Sequence, residues 1–374
     1  MITKNKKINA FQFAILGLML GNALIIGFGG TIIISLAKQD AWLIPLIAPI
    51  FALIPIVLLI YIINYEPDKN IFAKIQSLFG KYIGSLINII LTGFIAFVLI
   101  FSLWSAVFFS VAQYLSKVPY LFLATCFILT AIYGVTKGIE TIARTNEIFF
   151  FINIILIGII VIFLYPYIKL EHIQPILPRG IMPIIGHSVI SLSYIFPPIL
   201  TLSIIPKNNI IDQKKYHWYL ILGVLISIVF LFIPFFYVIS IVTINLAELF
   251  RYPGYHLLYK IDIAGIFTGL ENFLSLHWLF STFSALLMCS YFVCKYTHQT
   301  FKIKQRKYII ITNIIIGLLA VIVSDFLFPN SIAGIEFMQY IFPYYIFPIP
   351  LIIFIIMAIL IFLKKRKNPE TNIN

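Results

Sequence analysis

Long apolar runs alternate with short polar connections along almost the whole chain, and that alternation predicts the architecture. Ten runs are each about 20 residues or longer, the length an α-helix needs to cross a hydrocarbon layer. They lie near 10–36, 42–63, 83–115, 118–136, 141–165, 183–205, 217–246, 273–294, 308–328 and 337–363. The pattern predicts an all-α polytopic membrane protein with ten transmembrane helices, here spans 1 to 10. They form a single domain over 1–367, followed by a short, polar, disordered tail over 368–374. Two outward connections are longer than turns. Pro166–Met182 is punctuated by prolines and predicts a short surface helix, and the weakly amphipathic Glu248–Asn272 predicts a segment lying along the outer interface.

Two runs carry residues that interrupt a helix. Span 1 contains LGNALIIGFGGT over 20–31, with Gly21, Gly27, Gly29 and Gly30 beside Asn22. Glycine costs about 1 kcal/mol in a helix interior and leaves the backbone uncovered, so this stretch predicts an opened helix. The same glycines also suit close helix packing, and on spacing alone the two readings stay open. Span 6 contains HSVISLSYIFPPILT, where Ser188, Ser191 and Ser193 precede Pro197-Pro198. Each proline removes a donor and clashes with the carbonyl four residues back, so span 6 is predicted to break or bend. Spans 1 and 6 each open a set of five, which is the arrangement of a 5+5 inverted-repeat transporter with its site at the midplane.

Composition agrees with this class. The 374 residues are 61% hydrophobic and 10% charged, with mean hydropathy +1.05. The formal charge of +13 is a topology signal rather than a binding surface, because the basic residues sit in the connections. Of 26 Lys and Arg, 20 fall at the N-terminus, in the 2–3, 4–5, 6–7 and 8–9 connections and in the tail, and 6 on the other side. That asymmetry predicts both termini inside. Cys126, Cys289 and Cys294 fall within apolar runs without metal or disulfide spacing. The first apolar run is too long for a signal-peptide core and has no small-residue cleavage site. The sequence has no HExxH, CxxC or phosphate-binding glycine loop and no carboxylate pair at membrane depth. No enzyme activity, cofactor, metal or nucleic-acid partner is therefore expected.

Two opened helices would bring four helix ends together, free N–H groups suiting a carboxylate and free carbonyls an ammonium. Such a site takes an α-amino acid without a buried charged side chain. Gly21, Asn22 and Ala23 are expected to form the opening in span 1, and Ser193, Tyr194, Ile195 and Phe196 that in span 6. Phe94, Phe97, Phe101 and Ser102 of span 3, with Ser281, Ser284 and Ala285 of span 8, would line a pocket for a small or apolar side chain. Glu140, Arg144 and Glu147 share one face of span 5. They read either as a gating or coupling ion pair or as an interfacial salt-bridge cluster. His187 reads as a proton carrier or as a hydrogen-bonded packing residue.

Several stretches carry a family resemblance in the right order along nearly the whole chain. They are Ile8-Asn9-Ala10-Phe11-Gln12, Leu20-Gly21-Asn22-Ala23-Leu24, Gln39-Asp40-Ala41-Trp42, Gly138-Ile139-Glu140 through Arg144, and Pro175-Ile176-Leu177-Pro178-Arg179-Gly180. Pro206, Tyr252-Pro253, and Leu270-Glu271 with Trp278 complete the series. The chain resembles the permease-like B subunits of spore germination, a branch of the amino acid–polyamine–organocation superfamily. The resemblance implies a ten-helix LeuT-like fold in the inner membrane of an endospore. It further implies a nutrient receptor, often for an amino acid, acting with A and C subunits. By the same resemblance Gly21, Ile195 and Ser284 face the ligand. Pro197-Pro198 and Gly269 depart from the pattern, standing where a glutamate and a basic residue are expected. The expected function is a germinant receptor subunit. The alternatives are an H⁺- or Na⁺-coupled amino-acid transporter and a structural membrane subunit with a vestigial pocket.

Overall fold

The computed structural model describes residues 7–255 and 271–367. Nine helices among them are long and apolar enough to cross a membrane. The first, Ile25–Asn64, merges the second half of span 1, outer in the orientation expected from the charge asymmetry, with all of span 2, and the shorter apolar helix Ala10–Asn22 supplies the first, inner half. All ten predicted crossings are therefore present, and the protein is a multi-pass membrane protein.

Span 1 is built from Ala10–Asn22, a π-helical turn Ile25–Gly29 and Gly30–Ala37. Span 2 is Ile44–Asn64, span 3 Lys81–Gln113, span 4 Tyr120–Lys137 and span 5 Ile139–Leu164. Span 6 is Met182–Leu200, span 7 Tyr216–Ile241, span 8 Glu271–Thr300 and span 9 Arg306–Leu327. Span 10 runs through Ser331–Glu336, a π-helical stretch Phe337–Ile346 and Pro348–Lys367. Burial separates centre from periphery. In spans 6 and 8, 72% of the most apolar stretch is buried, against 28% in spans 4, 5, 9 and 10, which face lipid. Spans 1 and 7 meet backbone to backbone. A Cβ on Gly223 would lie 2.6 Å from the Ala14 carbonyl oxygen, so a glycine is required there.

The connections collect into two faces. On one, Ile8 N–H donates to the Asn209 carbonyl (2.9 Å), Asn208 N–H to the Pro67 carbonyl (3.0 Å) and Lys364 Nζ to the Tyr65 hydroxyl (3.0 Å). On the other, Lys38 pairs with Glu248 at 2.6 Å and Gln39 Nε2 donates to the Pro175 carbonyl at 3.3 Å.

Three expectations are corrected. Span 6 is not opened at Ser193–Phe196: it runs as α-helix from Met182 to Leu200. Pro197 and Pro198 fall in its last turn, where the missing donors end the helix instead of splitting it, and a buried 3₁₀ turn Thr201–Ile204 follows. The 5–6 connection holds two 3₁₀ turns, Tyr165–Tyr167 and Leu170–Ile173, in place of a surface helix, because its prolines leave too few donors for α-helix. A helix absent from the expectation, Ile71–Phe79, crosses the 2–3 connection with Ile71, Phe72, Lys74 and Ile75 buried. Most of Glu248–Asn272, Gly269 included, and the tail 368–374 lie outside the described residues.

Candidate functional site: the opened first helix and its outer cleft

The helix that opens is first fixed at its start. Asn9 caps it, its Oδ1 accepting from Gln12 N at 2.7 Å while Gln12 Oε1 accepts from Asn9 N at 3.2 Å. The helix holds to Asn22, turns through Ala23 and Leu24, and departs from helical geometry at Gly27 (φ −77°, ψ −114°). Backbone groups freed inside a bilayer need partners. The Ala23 carbonyl finds two on span 8: Trp278 Nε1 at 3.2 Å and Thr282 Oγ1 at 3.1 Å. This carbonyl is thus held by the protein rather than left for a ligand ammonium. Gly27 is what lets the indole lie there, since a Cβ would fall 2.5 Å from Trp278 Cε2 and Cζ2. Beside the opening, Asn22 is fully buried with neither carboxamide atom hydrogen-bonded. Leaving such a group unpaired costs about 1–3 kcal/mol.

The opening borders a narrow, half-open cleft with an accessible volume of about 60 Å³. Gly27, Gly30 and Thr31 form one wall, Phe235 of span 7 and Trp278 of span 8 another, and Phe109 of span 3 with Tyr252–Tyr255 the outer side. The Phe109 ring meets Trp278 at 4.8 Å, Tyr252 at 4.8 Å and Tyr255 at 5.9 Å, all edge to face. Thr31 Oγ1 donates to the Arg251 carbonyl at 2.6 Å, tying the outer half of span 1 to the 7–8 connection.

The structure brings only part of the predicted site together. A Cβ on Gly21 would lie 3.4 Å from Ile199 and 3.8 Å from Ile195, so spans 1 and 6 do meet at the opening. Tyr194 donates its hydroxyl to the Met338 carbonyl (2.8 Å), and its ring lies 3.4 Å from where a Gly29 Cβ would be. Ser193, Ser281 and Ser284 donate to the carbonyls of Ile190, His277 and Phe280 on their own helices. Phe196 meets Phe354. Phe94 and Phe97 stack on Phe342 at 6.0 and 5.6 Å, turned toward span 10. Phe101 packs on Trp104 and Phe328, Ser102 donates to the Val98 carbonyl, and Ala285 is buried. On span 5, Arg144 pairs with Glu140 at 2.7 Å on the surface, while Glu147 accepts from Gln12 Nε2 at 3.0 Å. His187 is half-buried at the outer end of span 6, beside Asp40 and Arg179. Sequence reasoning put the opening at Gly21–Ala23 instead of Gly27 and missed Thr31, Phe109 and the Trp278 wall. The triplet Gly27, Gly29, Gly30 was the available signal.

A family model described as spore germination protein matches residues 7–329. The chain belongs to the spore germination protein family. Similar relatives in Bacillus subtilis (strain 168) are spore germination protein A2, 23% identical over 78% of this chain and 78% of that one. Spore germination protein YndE is 24% identical over 71% and 73%, and spore germination protein B2 is 24% identical over 67% and 68%. In fold the chain is similar to the crystal structure of MhsT in complex with L-phenylalanine. The TM-score is 0.66 and the identity 14%, covering 93% of this chain and 89% of that one. The fold is thus the LeuT-like transporter fold.

In this spore germination protein, stretches quoted above as scattered motifs bind one another. Asp40 Oδ1 accepts from Leu177 N at 2.9 Å and Gln39 Nε2 reaches the Pro175 carbonyl, so the segment opening span 2 clasps the 5–6 connection. Ile8 makes a parallel bridge with Ile210, and Ile211 N–H returns to the Ile8 carbonyl at 2.9 Å, clasping the 6–7 connection. Lys74 of the 2–3 helix is 1% exposed and donates to the Ile62 and Ile63 carbonyls at 2.9 and 2.8 Å, capping the end of span 2. Burial lowers its pKa to about 7 against the opposing pull of Glu66 and Asp68.

Proposed function

We propose that this chain is the ligand-binding membrane subunit of a germinant receptor. It takes a small ligand, an amino acid in the first instance, where span 1 opens, and signals through A and C partner subunits in the spore inner membrane. The observation that carries this reading is the opening itself: a helix interrupted at Gly27 beside a cleft with aromatic walls, in a member of the spore germination family. The ligand shifts a population between an open and an occluded cleft, and the partners read the shift. The site lies one to two turns outward of Gly21–Ala23 along span 1, against Phe235 and Trp278.

A second reading, a secondary amino-acid transporter, is favoured by the fold shared with MhsT, whose solved complex holds L-phenylalanine. The deciding experiment has two arms. Spores whose only receptor contains this chain and its co-encoded partners are exposed to single amino acids, and germination is followed as a fall in optical density. Proteoliposomes holding the chain alone are tested for uptake of the labelled amino acid. A response that needs the partners, without uptake, supports the receptor. Uptake by the chain alone replaces it with the transporter, and neither response leaves a structural subunit with a vestigial pocket.

A further inference from the structure

The outer end of span 8 holds a carboxylate that nothing above accounts for. Glu271 is 7% exposed, and its Oε2 is buried without a hydrogen-bond partner. None of the ion pairs among the described residues includes it: Lys38 is engaged by Glu248, and the Arg251 guanidinium lies over the Phe108 ring, 5.5 Å from its centroid. A buried carboxyl oxygen left without a hydrogen-bond partner is costly.

Its position points to a partner. Glu271, Leu274, Ser275 and Trp278 stand at i, i+3, i+4 and i+7 of one helix and so share a face, and the last three line the cleft. Glu271 itself does not line the cleft but stands one turn before Leu274 and Ser275, on the side toward which helical side chains lean. Ser275 Oγ donates to the Glu271 carbonyl at 2.8 Å. The phenol of Tyr114, at the end of span 3, interacts with both residues. Its ring meets Tyr255 at 5.7 Å and Phe109 at 5.8 Å. A single carboxylate backed by aromatic faces suits an organic ammonium, whose charge is attracted to both. A hard divalent metal wants about six or more oxygens, and no group of three His, Cys, Asp or Glu exists among the described residues.

We propose that Glu271 is the specificity-determining residue of the cleft, and that it selects a small ligand bearing an ammonium group whose apolar body lies against Phe109 and Trp278. This rests on the cleft being the ligand site.

The test uses the purified full-length chain in lipid nanodiscs and three probes of equal apolar body: 2-phenylethylammonium, 2-phenylethanol and 3-phenylpropionate. Binding is read by calorimetry. The wild type is expected to bind the ammonium roughly ten-fold tighter than the alcohol and to reject the carboxylate, as a charge-assisted contact requires. Glu271→Gln removes that preference and leaves alcohol binding unchanged. Glu271→Asp keeps the charge on a shorter arm, and so keeps the ammonium ahead of the alcohol by a smaller ratio. Equal binding of ammonium and alcohol by the wild type overturns the proposal. So does an undiminished preference in Glu271→Gln, or no ammonium binding by the wild type. Gly27→Ala, which crowds the cleft, separates the two readings. If it weakens alcohol binding while Glu271→Gln changes nothing, the cleft stands and the ammonium selection fails. If all three probes bind Gly27→Ala as before, with the Glu271 dependence intact, the ligand lies outside the cleft.

Discussion

Adding one methyl group at Gly27 is the smallest perturbation that reaches the opening. The new Cβ would sit 2.5 Å from two carbons of the Trp278 ring and 2.6 Å from its Nε1, inside any tolerable contact. The indole is held between Phe109 at 4.8 Å and the Ala23 carbonyl at 3.2 Å, so it must rotate off that carbonyl to yield. Overpacking a buried site costs about 1–3 kcal/mol. Losing one of the two donors to a buried carbonyl adds about 1 kcal/mol, because Thr282 still serves it. Gly27→Ala should therefore raise the ligand concentration for half-maximal germination on the order of a hundred-fold, the equivalent of about 3 kcal/mol. The protein should remain in the membrane at normal levels by immunoblot. Because the cost is a clash between two named residues, it should be largely relieved in Gly27→Ala with Trp278→Leu, a coupling that a double-mutant cycle reads directly. A wild-type response in Gly27→Ala, or two single effects that simply add, would refute the claim that the indole against Gly27 holds the opening.

Other outcomes follow from the same contacts. Gly21→Leu should abolish the ligand response without loss from the membrane, since a Cβ already meets Ile199 at 3.4 Å and a longer chain drives into span 6. Lys74 gives a pH signature. Its folded pKa near 7 lies below the unfolded value of 10.5. The folded protein therefore binds fewer protons between those limits, and the stabilisation is complete only above pH 10.5 and gone below about 7. The thermal midpoint in detergent should rise with pH across that window in the wild type, and the rise should be smaller in Lys74→Met. Asp40→Ala frees the Leu177 N–H at a cost of about 1–2 kcal/mol, and hydrogen exchange at the 5–6 connection should quicken while that of the Ile71–Phe79 helix stays unchanged.

Ten crossings, the opened first helix and the central place of spans 1, 6 and 8 could be read from the sequence, because each follows from local composition: run length, glycine content, absence of charge. The contacts that close the site could not. Pro197-Pro198 looked like an interruption because two adjacent prolines forbid a helix interior. Whether they split a helix or end it depends on where the helix stops, and that is set by packing around Thr201–Ile204. Phe94 and Phe97 have the spacing of a pocket wall, yet a π-helical stretch of span 10 swings Phe342 onto them. Lys74 looked like one more basic loop residue, since nothing local says that a lysine will bury itself to cap another helix.

Span 1 acquires its importance from how its two halves are held. The inner half is fastened by its cap, by Gln12 to Glu147 of span 5 and by Ile8 to the 6–7 connection. The outer half is fastened by Thr31 to the Arg251 carbonyl, and the residues just beyond it by Lys38 to Glu248 and Asp40 to Leu177. Different partners thus hold the two ends, and between them the helix is opened, with the Ala23 carbonyl kept by Trp278 and Thr282. A motion of the outer half then need not disturb the inner fastening, because no α-helical hydrogen-bond ladder runs unbroken through Gly27. It must, however, carry the 5–6 and 7–8 connections with it, and these are the surfaces on which a change at the cleft reaches the outside of the protein.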